Sequence, residues 1–156
     1  MNPFFSIIIP TLGKLDQLDF AIHSAVNQTF TDLEIIAIDS GPADKSAPLI
    51  KKFDDKRIKY FNTSSGDPRL NWDFGFRKSN GRYIIWMDDD NYLLPGELSE
   101  LSQIIQTTGA DIASGENIHY TGMNHPIKNM RNSLIIRKRL FSGKLRKVDP
   151  AGVIKR

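Results

Sequence analysis

No cysteine occurs among the 156 residues, which excludes a disulfide framework, a zinc–thiolate centre and a cysteine nucleophile and fits a reducing compartment. Long apolar runs are missing as well. None approaches the roughly 20 residues needed to span a bilayer. Phe4–Ile9 is apolar, but it is short, lacks a basic lead and meets Pro10, so it does not read as a signal peptide. The expected location is the cytoplasm, or at most the inner face of a membrane. Neither G-x-G-x-x-G nor a Walker phosphate loop occurs, and the connection Pro10-Thr11-Leu12-Gly13-Lys14 holds a single glycine. The phosphates of any bound nucleotide would have to be neutralised by other means, and a metal held by carboxylates would do so. Acidic residues nearly vanish after Glu116, where Asp149 stands alone.

What is present is an ordinary soluble composition, 40% hydrophobic and 25% charged, at a length that suits one domain with a real core. The net charge of +3 hides an asymmetry. Residues 1–127 hold 11 Lys/Arg against 17 Asp/Glu, whereas residues 128–156 hold 10 Lys/Arg against one aspartate. Such a basic end attracts phosphates, anionic lipid or nucleic acid, or else is a solvated tail. Its lack of aromatic–basic interleaving argues against nucleic acid. Residues 1–127 contain no repeat, low-complexity stretch or linker.

Strand-like and helix-like segments alternate. Ser6–Ile9 reads as a buried strand stopped at Pro10. Leu15 to about Asn27 has apolar residues at helical spacing. Leu33–Ile38 is a second strand, Ala47–Phe53 a short helix, Ile58–Phe61 a third strand and Leu70–Lys78 a helix. Gly81–Met87 is a strand apolar enough to be buried on both faces. Leu98, Leu101, Ile104 and Ile105 mark a helix that starts near Pro95 and ends near Gly109. Asp111–Ser114, Asn117–Tyr120 and Ser133–Arg137 are further strands. This order predicts an α/β fold with a mainly parallel sheet.

The chain is organised around the strand that breaks into Asp88-Asp89-Asp90. Three carboxylates cannot enter a two-sided core unpaired, so they belong at the strand's carboxyl end, where open α/β sheets bind ligands. Clustered oxygen donors suit a hard divalent cation; the alternative is an acidic turn before the next helix. Asp39 ends the second strand on the same sheet edge. It can accept hydrogen bonds from a ligand there, or from its own Ser40-Gly41-Pro42 turn.

Three blocks carry a family resemblance: Ser6-Ile7-Ile8-Ile9-Pro10-Thr11; Ala25–Phe30 followed by Leu33–Gly41; and Gly81–Asp90 with its D-x-D ending. In order and spacing they resemble family 2 glycosyltransferases of the GT-A fold, over roughly residues 4–137. The resemblance implies a Rossmann-like sandwich with helices on both faces of a mainly parallel sheet. Residues 1–127 would form the nucleotide-sugar-binding domain, and residues 128–156 the start of an incomplete acceptor-binding half. It further implies transfer from a nucleotide-diphosphate sugar, a UDP-sugar by family habit, to a hydroxyl of a saccharide or lipid-linked acceptor. Mn2+ or Mg2+ would serve on the diphosphate, and inversion is expected. Carried over residue by residue, Pro10 and Thr11 would line the nucleoside pocket, and Asp39, with Gly41 beside it, would hold the base. Asp88 would reach the ribose side and share the metal with its ligand Asp90. Asp89 fills the variable middle position, with solvent as its expected surroundings.

Three departures stand out. One acidic position of the family pair is Ser40. The family's Ala-Arg-Asn-x-Gly reads Asn71-Trp72-Asp73-Phe74-Gly75, which leaves Arg69 or Arg77 as the only nearby guanidinium substitutes. The general base is expected well beyond the D-x-D strand, and Asp149 is the one acidic candidate there. His119 and His125 can titrate, but a strand surface and a pre-proline turn are their expected settings. Without a base, the chain would be a nucleotide-sugar-binding module lacking transfer activity.

Overall fold

The computed structural model describes residues 2–41, 43–116, 119–120, 126–127 and 132–137, with backbone alone for 68, 69 and positions from 114 onward. The elements run β1 (Phe5–Thr11), α1 (Leu15–Val26), β2 (Leu33–Asp39), α2 (Ala47–Ile50), β3 (Ile58–Asn62) and α3 (Pro68–Lys78). They continue with β4 (Tyr83–Trp86), α4 (Glu97–Thr108), β5 (Ile112–Glu116), β6 (His119–Tyr120), β7 (Pro126–Ile127) and β8 (Asn132–Arg137). The main sheet has the order β3-β2-β1-β4-β8-β5, and β6 and β7 form a separate two-stranded ribbon. Neighbours among β3, β2, β1 and β4 pair in parallel, while β8 lies antiparallel between β4 and β5. Strand β8 of this sheet comes from beyond position 127.

Alternating side chains of the central strands feed two cores. On one face Phe5, Ile7 and Ile9 join Ile35, Tyr83 and Ile85 beneath α1 and α4. On the other, Ile8, Ile36, Ile38 and Ile84 meet Trp72, Phe74 and Phe76 of α3. Helix α1 forms because Leu18, Ala21, Ile22 and Ala25 recur on one face and are all buried. Helix α4 ends at Gly109, whose φ of 66° suits a residue without Cβ.

Three elements differ from expectation. Strand β1 runs through Pro10 to Thr11. Its ladder partner on the β4 side stops at Ile8↔Trp86, so the missing proline N–H forfeits no bond there. Pro95 does not open α4, because the chain first turns through Gly96 at φ 85°. The expected helix over Ala47–Phe53 splits into α2 and a 3-10 turn over Lys51–Phe53.

Helix α3 approaches the sheet closely at Gly75. A Cβ there would lie 2.5 Å from Ile8 Cγ2 and 2.7 Å from Ile38 Cδ1. Overpacking of about 3 kcal/mol outweighs the roughly 1 kcal/mol of helix propensity that alanine gains. Gly75→Ala should thus lose about 2 kcal/mol and melt about 6 °C lower by circular dichroism; an unchanged melting temperature would refute the close approach.

Candidate functional site

The carboxyl ends of β1, β2 and β4 share one edge, since Thr11 stands in register with Asp39 and Ile8 with Trp86. The chain leaves β4 through Met87, whose N–H donates to Ile8 O at 3.0 Å, and then turns sharply. Asn91 N–H donates to Asp88 O at 3.0 Å. This turn splits the triplet. Asp88 and Asp90 are exposed, whereas Asp89 is buried.

Asp89 corrects the expectation that the middle residue faces solvent. It is only 7% exposed, accepts Thr11 Oγ1 at 2.8 Å, and lies 3.8 Å from Lys14 Nζ. It ties the β1–α1 connection to the turn after β4. Lys14 brings a cation to a cluster of three carboxylates, a role the sequence did not flag. Its only signal was its place three residues after Thr11. Asp88 has its carboxyl pushed above the ordinary 3.8, first by partial burial, then by the charges of Asp90 and Asp89, against which Lys14 acts weakly. The mouth of β4 thus carries a local excess of negative charge.

Asp39 is fully buried and serves its own turn. Its Oδ1 accepts Gly41 N–H at 2.7 Å, and its Oδ2 accepts Ser46 Oγ at 2.7 Å and Ser46 N–H at 3.3 Å. Gly41 lies tight against it, for a Cβ there would sit 3.0 Å from Asp39 Oδ1. Pro10 and Thr11 are buried beneath this edge, and Ser40 N–H and Oγ both donate to Thr11 O, at 3.0 and 3.1 Å. Trp72 stands at the place of the family's arginine, and Asn71 just before it bridges. Its Nδ2 donates to Ile38 O at 3.2 Å and its Oδ1 accepts Thr63 Oγ1 at 2.9 Å. Arg77 pairs with Asp73 at 2.8 Å on a solvated helix face. The side chains of Arg69 and His119, together with His125 and Asp149, lie outside the described residues.

The segment after the triplet is clamped to α1 by two residues the sequence did not single out. Ser24 Oγ accepts Leu93 N–H at 3.1 Å. Gln28 donates to Leu94 O at 2.8 Å and accepts Leu98 N–H at 3.2 Å. Among the described residues no group of three or more His, Cys, Asp or Glu side chains forms a ready metal cage. No helix among them is long and apolar enough to cross a membrane.

The family model for "Glycosyl transferase family 2" matches residues 6–153. A Campylobacter jejuni protein named GalNAc(5)-diNAcBac-PP-undecaprenol beta-1,3-glucosyltransferase is 40% identical over 106 residues, covering 65% of this chain and 34% of that protein. The chain spans between 14% and 40% of the length of such curated relatives. Among solved structures, S. aureus TarS 1-349 in complex with UDP superposes with a TM-score of 0.72 at 18% identity, over 91% of this chain and 48% of that one. The mannosyltransferase PcManGT from Pyrobaculum calidifontis, in complex with GDP-Man and Mn2+, gives 0.59 at 13% identity, over 72% and 35%.

Proposed function

Because the chain belongs to glycosyl transferase family 2 and has the GT-A fold, we propose that it is the donor-binding part of an enzyme that moves a sugar from a UDP-sugar to an acceptor hydroxyl. The observation that carries this reading is the pair of exposed carboxylates, Asp88 and Asp90, at the mouth of β4 beside the ends of β1 and β2. The UDP complex of TarS supports the donor class. The undecaprenol-linked saccharide in the Campylobacter relative's name supports a lipid-linked acceptor. With such an acceptor, the basic residues of 128–156 would hold the protein against an anionic membrane surface.

Asp88 and Asp90 would hold Mn2+ or Mg2+, and the chemistry of the site fits. Two carboxylates do not cage an ion alone, but a hard cation commonly takes one or two carboxylates plus substrate phosphates. Asp88 is raised first by partial burial and then by the charges of Asp90 and Asp89, and a bound cation would offset the latter. Once bound, the ion supplies Lewis-acid neutralisation of the departing diphosphate. Lys14 adds a second positive charge beside the triplet, and the Thr11–Asp89 bond fixes the turn on which both ligands stand. The buried turn of Asp39 and Gly41 shapes the nucleoside end of the edge; a base contact by Asp39 itself would require that turn to release an oxygen.

Deprotonation of the acceptor hydroxyl needs a base. Asp149, the residue proposed for it, is outside the described residues. Without such a base, the second reading is a donor-binding module without transfer activity.

Calorimetry with UDP, with and without Mn2+, tests the site. Wild type should require the ion, and Asp90→Ala should bind about 30-fold more weakly, as loss of a metal ligand or its support costs. Metal-independent binding, or a variant that binds normally, would sink the metal role. Donor hydrolysis or transfer above background then separates enzyme from module.

A further inference from the structure

The chain holds one Asn-Gly step, Asn80-Gly81, in the connection from α3 to β4. This dipeptide is the one most open to spontaneous deamidation, because a glycine nitrogen has no neighbouring Cβ to hinder its approach. The reaction needs only the chain and water. The Gly81 nitrogen attacks Asn80 Cγ and forms a C–N bond, and the side-chain nitrogen departs as ammonia with the proton that Gly81 N–H gives up. Water then opens the cyclic imide at either carbonyl, leaving aspartate or isoaspartate. We propose that Asn80 is a latent modification site of this kind, restrained by the hydrogen bonds on Gly81 N–H and released when the base of β4 opens.

The electrophile is available. Asn80 is exposed, and among the described residues its side-chain amide has no protein hydrogen-bond partner. The nucleophile is held. Gly81 is buried, and its N–H donates to Ser6 Oγ at 2.7 Å and to Glu34 Oε1 at 3.2 Å. Asn80 N–H donates to the same glutamate oxygen at 2.5 Å. On either side, Ser79 N–H donates to Gly75 O at 2.9 Å, Arg82 N–H to Pro3 O at 3.0 Å and Tyr83 N–H to Phe4 O at 2.9 Å. Attack would turn the Asn80–Gly81 peptide toward the side chain and take its N–H from both acceptors. The seat gives no room for that turn, since even a Cβ on Gly81 would lie 2.5 Å from Ser6 N and 2.7 Å from Phe5 C. Ring closure therefore waits on local opening.

Glu34 restrains the step rather than promoting it. The carboxylate also accepts Ser6 Oγ and Lys59 Nζ, and hydrogen bonds to its charged form make it a poor base for Gly81 N–H. The product would not fit the closed seat. Isoaspartate carries the main chain through Cβ and Cγ and so inserts an extra backbone atom before Gly81. Strand β4 is already paired with β1 at Phe5↔Tyr83, which leaves no loop to absorb that atom. Deamidation through isoaspartate would thus trap the base of β4 in its opened form.

The test incubates the full chain at neutral pH, folded and in guanidinium chloride, and follows aspartate and isoaspartate at each asparagine by peptide mass spectrometry. Unfolded, Asn80 should react ahead of the other asparagines. Folded, it should react about 100-fold more slowly, roughly tenfold for each bond that Gly81 N–H must lose. Ser6→Ala removes one acceptor and should speed the folded reaction about tenfold. Glu34→Gln should speed it about threefold, because a neutral acceptor holds the N–H less strongly. Gly75→Ala, which loosens the fold without touching these bonds, should react like wild type, and circular dichroism reports whether each variant is folded. Should Ser6→Ala not fold, Glu34→Gln against Gly75→Ala decides. Equal rates in the folded and unfolded chain, or variants at Ser6 and Glu34 that react like wild type, would overturn the proposal. So would equal acceleration by Gly75→Ala, which would assign the reaction to general unfolding, or a slower reaction in Glu34→Gln, which would make Glu34 the base.

Discussion

Glu34→Gln should cost about 2 kcal/mol at pH 7, within what hydrogen bonds to a charged group contribute, and this difference should shrink as the solution is acidified. Glu34 is 4% exposed inside an otherwise apolar strand, at the edge of the sheet opposite the functional site. Its Oε1 accepts Ser6 Oγ at 2.5 Å, Asn80 N–H at 2.5 Å and Gly81 N–H at 3.2 Å. Its Oε2 accepts Lys59 Nζ at 2.6 Å. One carboxylate thus joins β1, β2, β3 and the turn into β4. Burial raises its pKa and is the largest single influence, but the bonds from Lys59, Ser6 and Asn80, with the charge of Lys59, together outweigh it. The carboxyl lies below the ordinary 4.5.

The sign follows from linkage. A carboxylate whose folded pKa is depressed contributes stability that is fully present above 4.5 and is lost as pH falls through the folded value. Glutamine mimics the neutral acid in shape but cannot lose a proton. Urea melts of wild type and Glu34→Gln should therefore differ most near pH 7 and converge below pH 4.5, as the wild-type side chain takes up its proton. Parallel curves across that window would mean that the carboxylate's charge contributes nothing.

Glu34 also shows what could be read in advance and what could not. The strands were visible because Ile7-Ile8-Ile9, Ile35-Ile36 and Ile84-Ile85 are apolar on both faces, and two-sided burial leaves that pattern. The carboxylate triplet at a strand end was visible because charge cannot enter such a core. The partners of individual polar side chains were not visible. Thr11 and Asp89 are 78 positions apart and Glu34 and Gly81 are 47 apart, so no local pattern relates them. In sequence Asp89 has the pattern of a spacer, yet it is a buried tie; Asp39 fits a ligand holder and a turn former equally, and its oxygens serve the turn. The clamp formed by Ser24 and Gln28 escaped notice because both residues look like ordinary polar positions near the end of an amphipathic helix. The insertion of β8 between β4 and β5 is likewise a matter of topology, since a short apolar run does not say which neighbour it will choose.

Gly81→Ala should be the most damaging single substitution, at about 4 kcal/mol, which marks the severe end of point-mutant effects. A Cβ at Gly81 would meet Ser6 Oγ, and would lie 2.5 Å from Ser6 N and 2.7 Å from Phe5 C. At Gly75 the obstructing atoms are isoleucine methyls that can rotate; here they include backbone atoms of a central strand that cannot move without breaking its ladder. The clash would also push Gly81 N–H away from Ser6 Oγ, now at 2.7 Å, and from Glu34, leaving buried polar groups unsatisfied at about 1–3 kcal/mol each. With total stabilities of about 5–15 kcal/mol for a domain of this kind, the variant should melt about 12 °C lower. Gly13 provides the control. Its φ of 76° strains any other residue, but nothing lies within 4 Å of its Cβ position. Gly13→Ala should therefore cost only the strain of about 1 kcal/mol. If the two variants melt alike, backbone conformation rather than close approach governs both sites. If Gly81→Ala alone collapses, the tight seat under Ser6 holds the base of β4, and with it the strand that carries Asp88 and Asp90 at its other end.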